Sequence, residues 1–246
     1  MSADIAVPEH ERVVRFYTQI LGTGAAPLWR EDLTNNRGVP VIGVGVQSSD
    51  YGDLPVQWMP HIQVADVAQS ARRAVELGGS ELLHGRADDG TSQWAVLLDS
   101  DGAAFGLIPV VSSAPEEDDA SRPPATRLGC IAWLELTVPD AAAARDFYRE
   151  VVGSSVRAGV GEGEADYLML GGDGEPAAGI RSSRGDHTDL PRAWLLHLPV
   201  GDLAESLRRV RAQGGKVLLE RAVREGGLAA AVVQDPVGAC VTLVPA

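Results

Sequence analysis

Polar and apolar positions alternate through Asp4 to Val7 as in a half-buried strand, and Val13, Phe16, Tyr17 and Ile20 then recur at helical spacing until Gly22. The order repeats further on. "HIQV" (His61 to Val64) reads as a strand, Asp66 as a cap, and Val67, Ala71, Ala74 and Leu77 as one helix face ended by Gly78-Gly79. Further strands are predicted in "GVPVIGVGVQ", "AVLLDS" and "AAFGLIPV", and later in "DYLMLGG", "LAAAVVQD" and "ACVTLVPA". Each stretch therefore reads as a βαβββ unit, with two such units in each half of the chain. The predicted class is α+β.

The halves are copies of one another. Shifting the chain by 136 positions sets Pro55–Pro109 on Pro191–Pro245 without a gap, and 21 of the 55 pairs are identical. "DIAVPEHERVVRFYTQILG" pairs with "ELTVPDAAAARDFYREVVG" at a shift of 131. Repeats of this length are duplicated domains and not a solenoid array. The expected domains are residues 1–111 and 128–246, joined by a linker at 112–127, where "SSAPEEDDASRPPAT" carries four consecutive acids and three prolines.

Charge narrows the partners. A formal net charge of -13 leaves no basic stripe for phosphate backbones, so nucleic acid is not an expected partner. Acidity serves solubility and would also suit a cationic ligand. Cys130 and Cys240 form neither a CxxC pair nor a disulfide framework. Without a basic start before an apolar run, and without an uncharged stretch of membrane-spanning length, the chain reads as soluble and cytoplasmic.

The motifs "VPE…FYTQILG" and "VPD…FYREVVG", "HIQVADV…ELGG" and "HLPVGDL…AQGG", and "DSDGAAFGL" and "DPVGACVTL" resemble those of the vicinal oxygen chelate superfamily. Glyoxalase I, bleomycin-resistance proteins and extradiol dioxygenases belong to it. The resemblance implies tandem domains in which paired βαβββ units curl a mixed sheet into a cup, with helices outside and ligand inside. It also implies a divalent metal held by the first and last strands of the units. Counted along the motifs, those places fall on Ser2 and Trp133, Met59 and Leu195, and Gly106 and Thr242. They are not a set of converging carboxylates and imidazoles, so no metal and no other cofactor is expected.

Strand alternation turns Trp133, Glu135 and Thr137 toward the expected cup, with His197 and Leu195, His61 and Met59, and Thr242 in the last strand. Such a lining is mostly apolar and suits a bulky aromatic small molecule. Glu135, His197 and His61 are the candidate acids and bases: an imidazole exchanges protons near neutral pH, and a carboxylate among apolar neighbours can hold one. Duplication equally allows the two histidines to be core or hinge residues, and Glu135 to be one end of a buried ion pair. Tyr167 is a candidate beside them. Trp58 and Trp194 open equivalent strands and are candidates for substrate contact or for core packing. Trp29 and Tyr51 lie in segments able to roof the cup and stack on a planar ligand.

Two functions fit these residues. One is a metal-independent enzyme that cyclises, dehydrates or isomerises an aromatic or carbonyl-rich metabolite of natural-product biosynthesis by acid–base chemistry. The other is a protein that sequesters a small molecule in the manner of the bleomycin-resistance proteins. The duplication suits an internal pseudo-dimer, as a monomer or a homodimer.

Overall fold

The computed structural model describes residues 1–25, 41–48, 52, 54–110, 128–160, 165–184, 189–222 and 228–246. Strand β1 (Ala3–Val7), helix α1 (His10–Leu21) and β2 (Ile42–Val46) come first. Three βαβββ units follow. The first is β3 (Met59–Val64), α2 (Val67–Glu76), β4 (Ser80–Arg86), β5 (Ser92–Leu98) and β6 (Ala104–Pro109). The second is β7 (Trp133–Val138), α3 (Ala141–Val152), β8 (Val156–Ala158), β9 (Tyr167–Leu170) and β10 (Pro176–Ser182). The third is β11 (Trp194–Val200), α4 (Leu203–Ala212), β12 (Lys216–Ala222), β13 (Leu228–Gln234) and β14 (Cys240–Pro245).

The helices begin where the sequence supplies an acceptor. Asp66, Asp140 and Asp202 each accept from backbone N–H groups of the first turn of α2, α3 and α4, satisfying donors that the helix leaves open. The repeated Gly-Gly ends α2 and α4 for two reasons. Gly78 and Gly214 take positive φ (93° and 84°), whereas a Cβ on Gly79 or Gly215 would meet the carbonyl oxygen of Leu98 or Gln234 at 2.6 and 2.7 Å. Among the described residues no helix is long and apolar enough to cross a membrane.

The strands form two sheets, of six and of eight strands, and the contacts divide the chain into two compact units. One unit comprises Met1–Trp58, Asp118–Trp133 and Leu195–Ala246, and the other Met59–Glu117 and Leu134–Trp194. Each unit thus takes a strand–helix segment from either half of the duplicated sequence.

In the first unit β1 pairs in parallel with β2, and the remaining strands run in the order β12-β13-β14-β11. Helices α1 and α4 pack together, Thr23 Oγ1 and Ser206 Oγ share a hydrogen bond of 2.8 Å, and Ser206 Oγ donates to the Ile20 carbonyl. The second unit holds the strand orders β3-β6-β5-β4 and β7-β10-β9-β8, with α2 against α3. Pairs β1/β2, β3/β6, β7/β10 and β11/β14 are parallel, whereas β4/β5, β5/β6, β8/β9, β9/β10, β12/β13 and β13/β14 are antiparallel, the mixed pattern of the α+β class.

A matching aromatic–carboxyl chain lies at the centre of each unit. In the first, Trp58 Nε1 donates to Tyr17 Oη (3.0 Å), which donates to Asp235 Oδ2 (3.1 Å). The second repeats it as Trp194 to Tyr148 (2.9 Å) to Asp99 (2.9 Å). Each Asp also accepts backbone N–H groups of its own turn, from Asp101 and Ala103 or from Val237, Gly238 and Ala239. The Tyr and Trp rings meet edge to face, 5.3 and 5.2 Å between centroids.

Burial also separates the two thiols. Desolvation, chiefly, pushes the Cys240 thiol up to about 12, whereas Cys130 is half-buried. At pH 8 the native protein is expected to release one equivalent of thionitrobenzoate from Ellman's reagent, from Cys130, and a second only in guanidinium. Two fast equivalents from the native protein would contradict this burial.

Candidate active site

The β7/β10 face of the second unit carries the densest polar cluster among the expected residues. Parallel register sets Gly179 beside Glu135 and Arg181 beside Thr137, so these four share one face, while Leu136 and Ile180 fill the other at 0 % exposure.

Arg181 Nη2 donates to Glu135 Oε2 at 3.3 Å, and the two side chains are 14 % and 7 % exposed. Next to them Thr137 is fully buried, and its Oγ1 has no hydrogen-bond partner among the described residues. This corrects the expectation of a carboxyl with only apolar neighbours: Glu135 is one end of a buried ion pair. A carboxylate so held is suited to accept a proton in a fixed direction, and the guanidinium to donate to a developing oxyanion. Asp4, its counterpart in the other half, is exposed.

Tyr167 belongs to the opposite face. It pairs with Ile180, which itself pairs with Leu136, and the Arg145 guanidinium of α3 lies 4.6 Å from its ring centroid. The phenol therefore packs on the helix side, because β9 enters the sheet one position out of phase with the expected face.

Trp58 and Trp194 are core residues, 1 % and 2 % exposed, with their indole N–H groups committed to Tyr17 and Tyr148. The structure contradicts their reading as substrate contacts, since neither ring has an open face. Trp133 is half-buried at the start of β7. Trp29 and Tyr51 lie outside the described residues.

His197 sits on β11 in register with Thr242 of β14, which in turn pairs with Val232, so the three share one face. Its carbonyl accepts from Ala132 N at 2.9 Å. Around it Leu195 and Thr242 are buried at 1 % and 3 %. His61 holds the corresponding place on β3, in register with Gly106, with Met59 at 5 % exposure on the same face.

The metal positions of the family can now be tested. A Cβ at Gly106 would come within 3.0 Å of His61 Cδ2, so a larger donor there would require the imidazole to move. Met59, Leu195 and Thr242 are buried side chains without a carboxylate or imidazole. Among the described residues no group of three or more His, Cys, Asp or Glu could hold a metal ion. The residues at these places do not fit a divalent cation.

A groove of about 520 Å³ beside α2 and the end of α3 contains none of the candidate residues. It is lined by charged side chains, and Arg73 bridges Glu76 and Glu150 there at 3.2 Å each. Its polarity and ion pairing read as a solvated surface.

Comparison with known families assigns the two repeats. A model of the Glyoxalase/Bleomycin resistance protein/Dioxygenase superfamily matches residues 130–242, and one described as a glyoxalase-like domain matches residues 2–108. The chain belongs to this superfamily. A protein of Mycobacterium bovis that carries a glyoxylase name, CFP32, is 25% identical over 248 residues, 96% of this chain and 90% of that protein.

Two relatives come from streptomycetes. The anthracycline biosynthesis protein DauV of Streptomyces sp. (strain C5) is 26% identical over 196 residues, 80% of this chain and 68% of that protein. DnrV of Streptomyces peucetius, also an anthracycline biosynthesis protein, is 27% identical over 123 residues, 45% of each. Among solved structures, the 2,2',3-trihydroxybiphenyl 1,2-dioxygenase of Sphingomonas wittichii strain RW1 covers the whole chain and 89% of its own. It does so with a TM-score of 0.54 at 15% identity, a likeness of fold.

Arg181 was not foreseen. It lies outside the alignable repeat, and only the β7/β10 register brings it beside Glu135. The Tyr–Asp chains were visible in principle, since "FY" and the Asp of "DSDG" and "DPVG" stand at matching places in both halves.

Proposed function

We propose that the chain is an enzyme of aromatic natural-product metabolism. It would isomerise, cyclise or dehydrate a carbonyl-bearing polycyclic substrate by proton transfer, without a metal ion. The observation that carries this reading is the buried Glu135–Arg181 pair beside Thr137 on the β7/β10 face. Burying two charges costs several kcal/mol of desolvation that their attraction rarely recovers with interest, so such a pair is weak support for stability. Beside an unpartnered buried hydroxyl it makes better sense as chemical equipment.

Glu135 would take a proton from the carbon next to a substrate carbonyl. The electron pair would move onto the carbonyl oxygen, where an Arg181 N–H would stabilise the charge; return of the proton to the same carbon would invert it, and where a C=C adjoins that carbon, return to the far end of the dienolate would move the double bond. His61, in the same unit as Glu135, is the candidate partner for a second proton. The anthracycline biosynthesis relatives support a polycyclic aromatic substrate class.

The test is solvent-deuterium incorporation into a polycyclic aromatic ketone, followed by mass spectrometry, with affinity measured in parallel. Glu135→Gln is expected to slow exchange at least about 100-fold while Kd stays within about threefold, the signature of a proton-transfer group. Exchange at the wild-type rate in Glu135→Gln would refute the assignment. Saturable binding with no exchange by the wild type would replace catalysis with sequestration.

A further inference from the structure

The β4–β5 hairpin of the second unit carries a hydrogen-bonded row that the proposed proton transfer does not use. Ser92 Oγ lies 2.8 Å from His84 Nε2, His84 Nδ1 lies 3.0 Å from Glu81 Oε2, and Arg86 Nη1 donates to Ser92 Oγ at 3.3 Å. The ends of the row set its direction. A carboxylate can only accept, so Nδ1 must carry the hydrogen, and in the neutral imidazole Nε2 is then bare and accepts from the hydroxyl. Arg86 can only donate, which leaves the hydroxyl hydrogen for that bond. This is the polarity that makes a serine nucleophilic: the base turns its lone pair to the hydroxyl and is held from behind by a third group.

Two irregularities of the backbone build this row. Glu81 stands three positions before His84, and Ser92 three before Ala95, the residue paired with His84, so in a regular ladder both would point away from the imidazole. Register shifts between Glu81 and Leu83 and between Gly85 and Arg86 turn them back onto its face. The other half of the chain has the same two shifts, between Val217 and Leu219 and between Arg221 and Ala222, yet carries Val217, Glu220 and Leu228 at the three places. The fold therefore supplies the scaffold twice without requiring these side chains. The row also faces the helices. Ala95 and Leu97, paired with His84 and Glu81, are buried at 1 % and 0 % where α2 packs on β5, whereas His61 belongs, through Gly106, Val96 and Leu83, to the opposite face.

We propose that this row is an acyl-transfer site for small activated esters, with Ser92 as the nucleophile, His84 as the general base and Glu81 as the residue that positions the imidazole. Ser92 Oγ attacks the ester carbonyl carbon, its proton passes to His84 Nε2, and the carbonyl electron pair moves onto the oxygen, beside the Arg86 guanidinium. The bond to the leaving oxygen then breaks, His84 gives that oxygen the proton, and an acyl-Ser92 ester remains. Water attacks this ester in turn, with His84 taking its proton and returning it to Oγ, so that a carboxylic acid leaves and the hydroxyl is restored. Burial limits the substrate. The His84 side chain is 9 % exposed and Ser92 is half-buried, so the acyl group that reaches Oγ has to be short.

The experiment treats the full chain with p-nitrophenyl acetate, read by release of p-nitrophenolate, and separately with diisopropyl fluorophosphate, read by peptide mass spectrometry. The fluorophosphate traps the nucleophile, because an Oγ–P bond forms as fluoride leaves and water cleaves that bond slowly. The phosphoryl group is expected on Ser92, and Ser92→Ala and His84→Gln are each expected to lower kcat/KM for the acetate at least about tenfold. Glu81→Gln should lower kcat by about fivefold with KM held within about twofold, and Glu81→Asp should recover part of the loss, a split that a merely structural role would not give. Cys130→Ala should change neither readout, which separates the serine from the half-buried thiol. Thermal melts show whether each variant is folded at the assay temperature, and the labelled position is read from the wild type, so it decides the matter even where a variant does not fold. The proposal falls if the label is absent from Ser92, or if folded Ser92→Ala hydrolyses the ester at the wild-type rate.

Discussion

Arg181→Met is expected to lower the stability of the protein by about 3–5 kcal/mol in urea denaturation, the range for removing one partner of a buried ion pair. The cause is what the substitution leaves behind. Glu135, 5 % exposed, would lose the guanidinium that answers its charge at 3.3 Å, and the buried carboxylate would have to be held more weakly or take up a proton in the folded state. Glu135→Leu with Arg181→Met removes both charges together and is expected to recover most of the loss. A double variant as unstable as the single would show that packing by the guanidinium, and not charge pairing, holds this face. The same comparison tells whether slower exchange in Glu135→Gln is a catalytic loss or a folding one.

Asp99→Ala is expected to cost about 3–5 kcal/mol, because it leaves several buried donors without an acceptor at about 1–3 kcal/mol each. Those donors are the Tyr148 hydroxyl and the backbone N–H groups of Asp101 and Ala103. Asp235→Ala should behave alike, since Tyr17 and the turn at Val237 to Ala239 depend on it in the same way.

The two carboxyls also set a pH dependence. Burial is the largest influence on both and pushes them above the usual carboxylate range, outweighing the hydrogen bonds that oppose it. The folded protein therefore holds these protons to higher pH than the unfolded chain, whose aspartates titrate near about 3.9. Their contribution is complete below that value and is lost as pH rises through the raised folded pKa. Thermal melts from pH 4 upward should show this loss, and Asp99→Asn with Asp235→Asn should flatten it. An unchanged slope in the double variant would assign the pH dependence to other groups.

The alternation of "DIAV" and "HIQV", the helical spacing after them and the capping Asp66 lead to the observed elements with shifts of a residue or two. These features are local, and local pattern is what a sequence displays. The site was less legible because it depends on register. Tyr167, a candidate beside Glu135, lies on the other face, and nothing near it in the sequence announces the irregularity between Pro176 and Ala178 that changes how β9 meets β10. Arg181 carries no local signal of its role, because only the β7/β10 register sets it beside Thr137 and within reach of Glu135. Trp58 and Trp194 drew attention as repeated aromatics, yet their repetition follows from the hydrogen bond each gives a tyrosine. Glu81, His84 and Ser92 drew none, because their counterparts in the other half are Val217, Glu220 and Leu228 and the duplication conceals them.

The way each unit is assembled has a bearing on how the chain is made. Tyr17 meets Asp235 across 218 positions of sequence, and α1 packs on α4. During synthesis the first helix therefore emerges with its apolar face uncovered, and stays so until almost the whole polypeptide has left the ribosome. An early stop codon or a nick in the second half would strand that helix beside water and expose the protein to aggregation, even though every residue of the first copy was present.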